Sequence, residues 1–162
     1  MKDKTARVIN IDNFRAIDAT LTTSGQPTED QLRAVADEGY EVVINLALHN
    51  HPRYSLPDEA GLVESLGMTY IHIPVQFEAP GEAELLAFFQ AMETHKGKKL
   101  HVHCALNKRA TVFLALYRVI RQGQTEADAF ETMRSVWEPD AVWAAFIADM
   151  LARHASQQHG PC

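Results

Sequence analysis

The chain has 162 residues, of which 46% are hydrophobic and 22% charged, and its formal net charge is −6 at pH 7. This length and composition predict one globular domain with a sizeable core, and the acidic balance argues against nucleic acid as the partner. Two cysteines are too few for a disulfide framework, which favours a reducing compartment.

No stretch of the sequence approaches the roughly 18 apolar residues of a membrane span, and the first ten residues lack the apolar core of a signal sequence. We therefore expect a cytoplasmic protein with no membrane partner. Residues 1–12 are predicted to be a poorly ordered lead-in, residues 13–155 a single domain, and residues 156–162 a polar tail.

Strand and helix patterns alternate along this domain. Thr28 and Gln31 have capping-box spacing at the start of the first helix, and Pro139 is predicted to start the last one. The predicted strands are residues 14–17, 21–23, 40–46, 69–75 and 99–103; the predicted helices follow Thr28, span 58–66, follow Gly81, and span 110–121, 125–136 and 139–154. This order predicts an α/β fold with a mostly parallel sheet of four or five strands flanked by helices. We expect residues 100–103 to form its central strand.

Cys104 lies where a predicted strand ends and an apolar helix begins. The first turn of a helix has unpaired N–H groups and the positive end of the helix dipole, which together attract anions and favour a thiolate. Arg109 would add a fixed cation five positions later. A lone cysteine is usually a core residue, but this setting predicts that Cys104 is a nucleophile.

The pattern His103-Cys104, a short loop, Arg109 and a hydroxyl residue at Thr111 resembles the signature loop of the cysteine-dependent protein tyrosine and dual-specificity phosphatases. Four further segments support the resemblance: Asn13-Phe14-Arg15, Ser24 to Thr28, Val42 to Leu46, and Ile71 to Val75. Together they are similar to a bacterial family of small, mostly uncharacterised tyrosine-phosphatase-like proteins. The resemblance covers roughly residues 12–122 and implies a dual-specificity-phosphatase-like fold.

The loop departs from the family pattern in two ways. Four residues rather than five separate the cysteine from the arginine, and none of them is glycine; they are Ala105, Leu106, Asn107 and Lys108. A loop whose amides converge on one phosphate usually needs a residue with positive φ, which asparagine tolerates better than most. Asn107 is therefore predicted to adopt the left-handed conformation.

The resemblance implies hydrolysis of a phosphomonoester through a phosphocysteine on Cys104. Arg109 and the amides of residues 105–109 would bind the phosphoryl oxygens, and inorganic phosphate or sulfate is expected to bind there. His103 would order the loop, and Thr111 would either assist the leaving thiolate or bond within its helix. The substrate would be a phosphorylated small molecule or a phosphoprotein, and no cofactor is implied.

These phosphatases need a carboxylic acid upstream of the cysteine to protonate the leaving oxygen. The family's aspartate is absent, and the loop 76–82 offers Glu78 as the candidate acid. Glu82 is less well placed, because it would lie in the first turn of a helix, where a negative charge is favourable in itself.

Three functions stay open from the sequence. A four-residue spacing is also the loop length of rhodanese-type sulfurtransferases, against which stand His103 and the absence of glycine. A catalytically weak phosphate-binding protein is the third. We predict no metal site, because His49, His51, His101 and His103 lack a spacing that would fix ligand geometry.

Overall fold

In the computed structural model, residues 7–48 and 55–155 are described. Within them, five strands form one sheet: β1 (Arg15–Asp18), β2 (Leu21–Ser24), β3 (Val42–Asn45), β4 (Thr69–His72) and β5 (Leu100–His103). The strand order is β1-β2-β5-β3-β4, and only the β1–β2 pair is antiparallel. The predicted α/β fold, with a mostly parallel sheet and residues 100–103 at its centre, is confirmed. His49 and His51, considered above as metal ligands, lie outside the described residues.

Helices flank the sheet, and their N-termini largely follow the predicted caps. Thr28 and Gln31 form the capping box of the first helix. The predicted helix 125–136 is two helices that meet at Phe130, and the last helix starts after Asp140 rather than at Pro139, because the Asp140 carboxylate accepts from Trp143 N. The helices are α1 (Glu29–Asp37), α2 (Glu59–Ser65), α3 (Glu82–Thr94), α4 (Lys108–Ile120), α5 (Glu126–Ala129), α6 (Glu131–Val136) and α7 (Ala141–Arg153).

The two faces of the sheet have separate hydrophobic cores. The larger core joins the sheet to α3, α4, α6 and α7 and contains Val102, Phe88, Phe113 and Trp143. The smaller core lies between the sheet, α1 and α2. Because side chains alternate along β5, Val102 faces the larger core while His101 and His103 share the opposite face, with their ring centroids 6.3 Å apart.

The prediction of a poorly ordered lead-in is wrong for residues 8–11. A single 3₁₀ turn spans Val8–Asn10, and both Val8 and Ile11 are buried in the smaller core, at 1% and 2% exposure. Two apolar residues three positions apart point to the same side of this turn, where α1 covers them. No helix in the described residues combines the length and apolar character that crossing a bilayer requires.

The candidate site lies at the edge where the parallel strands end. Ser24 of β2 and Asn45 of β3 are both in register with His103 of β5, so these three strands finish at one level. In open α/β sheets, the carboxyl ends of the strands are where ligands bind. Cys104 follows β5 at this edge.

Candidate active site

Residues 104–109, which we term the cysteine loop, join β5 to α4. Cys104 itself is fully buried, and its amide donates to Ser24 O at 3.3 Å. Helix α4 begins at Lys108, two residues earlier than predicted, so Arg109 lies in its first turn. The amides of this turn have no partner within the helix. Cys104 therefore precedes the N-terminus of α4 by four residues, and its side chain packs in the larger core.

The outer side of the cysteine loop is bonded to the segment 12–26. Ala105 O accepts from Gln26 N at 2.9 Å, and Leu106 O accepts from the Asn13 side chain at 3.0 Å. In a trans peptide the C=O and the following N–H point in opposite directions. The amide of Leu106 is therefore directed away from the segment 12–26, whereas Gly25 and Leu106 pair as an isolated antiparallel bridge.

Asn107 has φ 68° and ψ 7°, which confirms the predicted left-handed conformation. Its side chain does not cap α4. Instead Nδ2 donates to Asn13 O at 2.8 Å and to Thr23 Oγ1 at 3.0 Å. Asn13 also has a positive φ, of 53°. The Asn107 side chain thus bonds the Asn13 backbone, while the Asn13 side chain bonds the backbone of Leu106, the residue before Asn107.

Arg109 is 8% exposed and contacts the loop between β4 and α3. Its Nη1 donates to Val75 O at 2.8 Å, and its Cζ lies 6.0 Å from the centre of the Phe77 ring. A guanidinium has five N–H donors, so this bond leaves others for an oxyanion. The same contact brings residues 75–77 next to the cysteine loop.

Lys108 and Thr111, which were also predicted to belong to the site, make different kinds of contact. Lys108 Nζ lies 5.4 Å from the Trp137 ring and 5.9 Å from the Phe77 ring, so its ammonium is directed at aromatic faces. Thr111 Oγ1 donates to Asn107 O at 2.8 Å, which is the bonding within the helix that the sequence left as one alternative.

The candidate acid, Glu78, is exposed and follows a residue that is held in place. Phe77 O accepts from Trp143 Nε1 at 2.7 Å. Glu82 lies at the start of α3, where it pairs with Arg153 at 3.3 Å and with His154 at 3.0 Å. Of the two carboxylates, Glu78 is therefore the one beside the segment that contacts Arg109.

His101 and His103 are both fully buried beneath the site. Thr22 Oγ1 and Ser24 Oγ each lie 2.7 Å from a ring nitrogen of His101, and burial together with the charge of His103 lowers the pKa of His101 to about 3. His103 Nε2 lies 2.6 Å from Glu59 Oε2, and its Nδ1 lies 3.3 Å from Cys104 O. No group of three or more potential ligands in the described part of the chain is arranged to hold a metal ion.

The sequence analysis did not single out Glu59, which is 2% exposed and approaches His103 from α2. It stands 44 residues before His103, and its position in the first turn of a short helix is typical of a solvated carboxylate. Nor did the sequence indicate the bonds that Asn13 and Thr23 form with the cysteine loop.

A cleft of about 540 Å³ opens beside the cysteine loop. Its lining combines carboxylates, hydroxyls and apolar groups: Asp12, Gln26, Pro27, Thr28, Glu29, Ser55, Leu56 and Leu106. Leu106 belongs to the cysteine loop, so the cleft borders that loop on its outer side, next to the segment 12–29.

A central parallel strand that ends at a cysteine, followed by a short loop and a helix with arginine in its first turn, defines a protein with the dual-specificity phosphatase fold. The chain belongs to the family described as "DSP-PTPase phosphatase fused to NAD+ Kinase", whose model matches residues 9–144.

Similar proteins agree with this assignment. A candidate phosphatase (DUF442) from Shewanella putrefaciens CN-32 is 33% identical, with a TM-score of 0.82 over 93% of this chain and 99% of that one. PTPMT1 in complex with PI(5)P has a TM-score of 0.70 at 19% identity, covering 88% of this chain and 99% of that one, and shows the fold alone.

A beta-lactamase hydrolase-like protein of Xylella fastidiosa is 32% identical over 123 residues. The match covers 72% of this chain but only 27% of that protein. The chain thus spans about a quarter of the length of this curated relative.

Proposed function

We propose that the protein is a cysteine-dependent phosphatase that hydrolyses a phosphomonoester through a phosphocysteine. The observation that carries the proposal is the joint position of Cys104 and Arg109 at one helix N-terminus, with the carbonyls of Ala105 and Leu106 bonded outward. A site for a phosphoryl group needs amide donors and a cation next to a nucleophile, and the Leu106 amide, Arg109 and Cys104 are the residues that would supply them here.

In the first step, the Cys104 thiolate attacks phosphorus and forms the S–P bond as the P–O bond to the leaving group breaks. Glu78 gives its proton to the departing oxygen. In the second step, water loses a proton to the Glu78 carboxylate and attacks phosphorus, the S–P bond breaks, and inorganic phosphate leaves. Arg109 and the amides of residues 105–109 stabilise the equatorial oxygens in both steps.

The substrate class follows from the cleft beside Leu106. A cleft of about 540 Å³ next to the cysteine loop has the size of a site for a small organic group, which favours a phosphorylated small molecule as the substrate. PTPMT1, a fold relative, has been determined with a phosphoinositide. Asp12 and Glu29 in the lining disfavour a leaving group that carries further phosphates.

The test compares hydrolysis of 4-nitrophenyl phosphate by the wild type, Cys104→Ser and Cys162→Ser. We expect slow turnover in the wild type, background in Cys104→Ser, and unchanged turnover in Cys162→Ser, which controls for loss of a thiol. Rapid quenching should trap phosphate on Cys104. Equal rates in the wild type and Cys104→Ser would refute the mechanism, and sulfur transfer from thiosulfate to cyanide without phosphatase activity would favour a sulfurtransferase.

The assignment of Glu78 has its own test, because a general acid matters most for poor leaving groups. Glu78→Gln should slow hydrolysis of phenyl phosphate by about 100-fold and that of 4-nitrophenyl phosphate much less. Glu82→Gln, which alters a carboxylate paired with Arg153 and His154, serves as the control and should leave both rates unchanged. Equal losses on the two substrates in Glu78→Gln would remove Glu78 from the mechanism.

A further inference from the structure

Glu59 is a buried carboxylate that touches two parts of the candidate site. Its Oε2 lies 2.6 Å from His103 Nε2, and its Oε1 accepts from Gln26 Nε2 at 2.8 Å, while only 2% of the residue is exposed. Burying an ionised carboxylate is costly unless it is paired and hydrogen-bonded. These two contacts contribute to that pairing.

The contacts of both ring nitrogens of His103 indicate which of these nitrogens carry protons. Nδ1 faces Cys104 O at 3.3 Å, and a carbonyl oxygen can only accept. Nε2 faces Glu59 Oε2, which also accepts when the carboxylate is ionised. A ring with an acceptor at each nitrogen satisfies both only as the doubly protonated imidazolium. We propose that Glu59 is a positioning residue that holds His103 as an imidazolium next to Cys104.

The orientation of the Glu59–His103 ion pair determines its effect on the ionisation of the Cys104 thiol. The imidazolium abuts the Cys104 backbone, and the carboxylate lies on the far side of the ring. The positive end of the pair is therefore the nearer one, and it favours a thiolate. The catalytic consequence rests on the proposed function, whereas the state of His103 does not.

Two other ionisable groups, His101 and Tyr70, lie close to this pair, whereas the cations of α4 are directed elsewhere. On the same strand, burial keeps His101 neutral. On β4, burial and the Glu59 charge raise the pKa of Tyr70, which keeps its hydroxyl protonated. From α4, Lys108 and Arg109 carry positive charge, with their side chains directed at aromatic rings and at Val75 O. Neither His101 nor Tyr70 therefore supplies a charge that could replace that of Glu59.

Glu59 also connects the two sides of the cysteine loop. Through Gln26 it reaches the segment whose backbone amide donates to Ala105 O, and through His103 it reaches Cys104 O. One carboxylate thus fixes residues on both sides of the thiol. A substitution that removes its charge but keeps its shape should separate positioning by charge from packing.

The first measurement is nitrogen-15 NMR of the histidine rings at pH 7.5, with the His103 signals assigned by their loss in His103→Gln. We expect both ring nitrogens of His103 to carry protons in the wild type and one of them to be bare in Glu59→Gln. A bare nitrogen on His103 in the wild type would overturn the proposal. This spectrum requires no Glu59 variant, so it decides the question even if Glu59→Gln does not fold.

The second measurement is the rate at which iodoacetamide alkylates Cys104, in a Cys162→Ser background, from pH 5 to 9. Glu59→Gln should react about tenfold more slowly at pH 7, as a shift of one pH unit in the profile would give. Glu64→Gln removes an exposed carboxylate from the same helix and should match the wild type. An unchanged profile in a folded Glu59→Gln would overturn the proposal. Neither measurement depends on phosphatase turnover, so both can be interpreted even if the protein hydrolyses no phosphate ester.

Discussion

Asn107 offers the most direct test of how the cysteine loop is held. It is fully buried, its φ is 68°, and its Nδ2 forms two hydrogen bonds, to Asn13 O and Thr23 Oγ1. We consider its replacement by alanine and by glycine. Both remove the two bonds, but alanine keeps a Cβ without the polar group that lets asparagine tolerate the left-handed region, whereas glycine has no Cβ.

The expected magnitudes follow from these contacts. Each lost hydrogen bond costs about 1 kcal/mol, so both variants should lose about 2 kcal/mol in the free energy of unfolding. Alanine at a positive φ should cost roughly 1 kcal/mol more. Asn107→Ala is therefore expected to be about 3 kcal/mol less stable than the wild type and about 1 kcal/mol less stable than Asn107→Gly.

Urea unfolding measures this order, and Ala87→Gly is the matched control. Ala87 is exposed within α3, where glycine should be the less stable residue by about 1 kcal/mol. At position 107 the glycine variant should therefore be more stable than the alanine variant, and at position 87 alanine should be more stable than glycine. In a double-mutant cycle, Thr23→Val should cost about 1 kcal/mol in the wild type and little in Asn107→Gly. If Asn107→Gly were the less stable variant, the left-handed conformation would not be a constraint on the folded loop.

Three further predictions concern neighbouring residues. A Cβ on Gly25 would lie 2.6 Å from Ala105 O, so Gly25→Ala should cost about 1–3 kcal/mol and reduce turnover. Gly123→Ala, where φ is 69° and no atom lies within 4 Å of the added Cβ, should cost about 1 kcal/mol but retain turnover; equal effects on activity would contradict the contact. The pKa of His101 is about 3 in the folded protein and 6.5 in the unfolded chain, so between these values the unfolded chain binds one more proton than the folded protein does. The free energy of unfolding should therefore fall as pH is lowered from about 6.5 towards 3. In His101→Gln the urea midpoint should fall less steeply over that range, and an unchanged slope would refute the assignment. If the four-residue loop lacks one amide donor, insertion of glycine after Asn107 should raise phosphatase turnover. A drop in turnover would show that the four-residue spacing is functional.

Local signals explain what the sequence predicted well. The strand 100–103, the capping box at Thr28 and the left-handed Asn107 each depend on residues close to one another in the chain. Such features follow from alternation, caps and the tolerance of asparagine for positive φ. The same reasoning placed Cys104 at the end of β5 before any tertiary contact was known.

The predictions from the sequence were wrong or incomplete where contacts between residues far apart in the chain determine the structure. Val8 and Ile11 are ordered because α1 covers them, and two residues in a polar segment carry no periodic signal. Glu59 reaches His103 across 44 residues, and Asn107 reaches Asn13 across 94. Neither bond has a local pattern, because a single polar side chain on a short helix or turn is normally solvated.

The absence of glycine from the cysteine loop has a structural counterpart on the opposite side of the contact. The loop approaches the segment 12–26 so closely that Gly25, rather than a loop residue, must lack a Cβ. The one positive φ within the loop is met by Asn107, whose side chain then bonds that same segment. A glycine at position 107 would satisfy the backbone but lose this attachment. The loop is therefore held by a neighbouring segment instead of by its own flexibility, and its shape should depend as much on Asn13 and Gly25 as on the residues between Cys104 and Arg109.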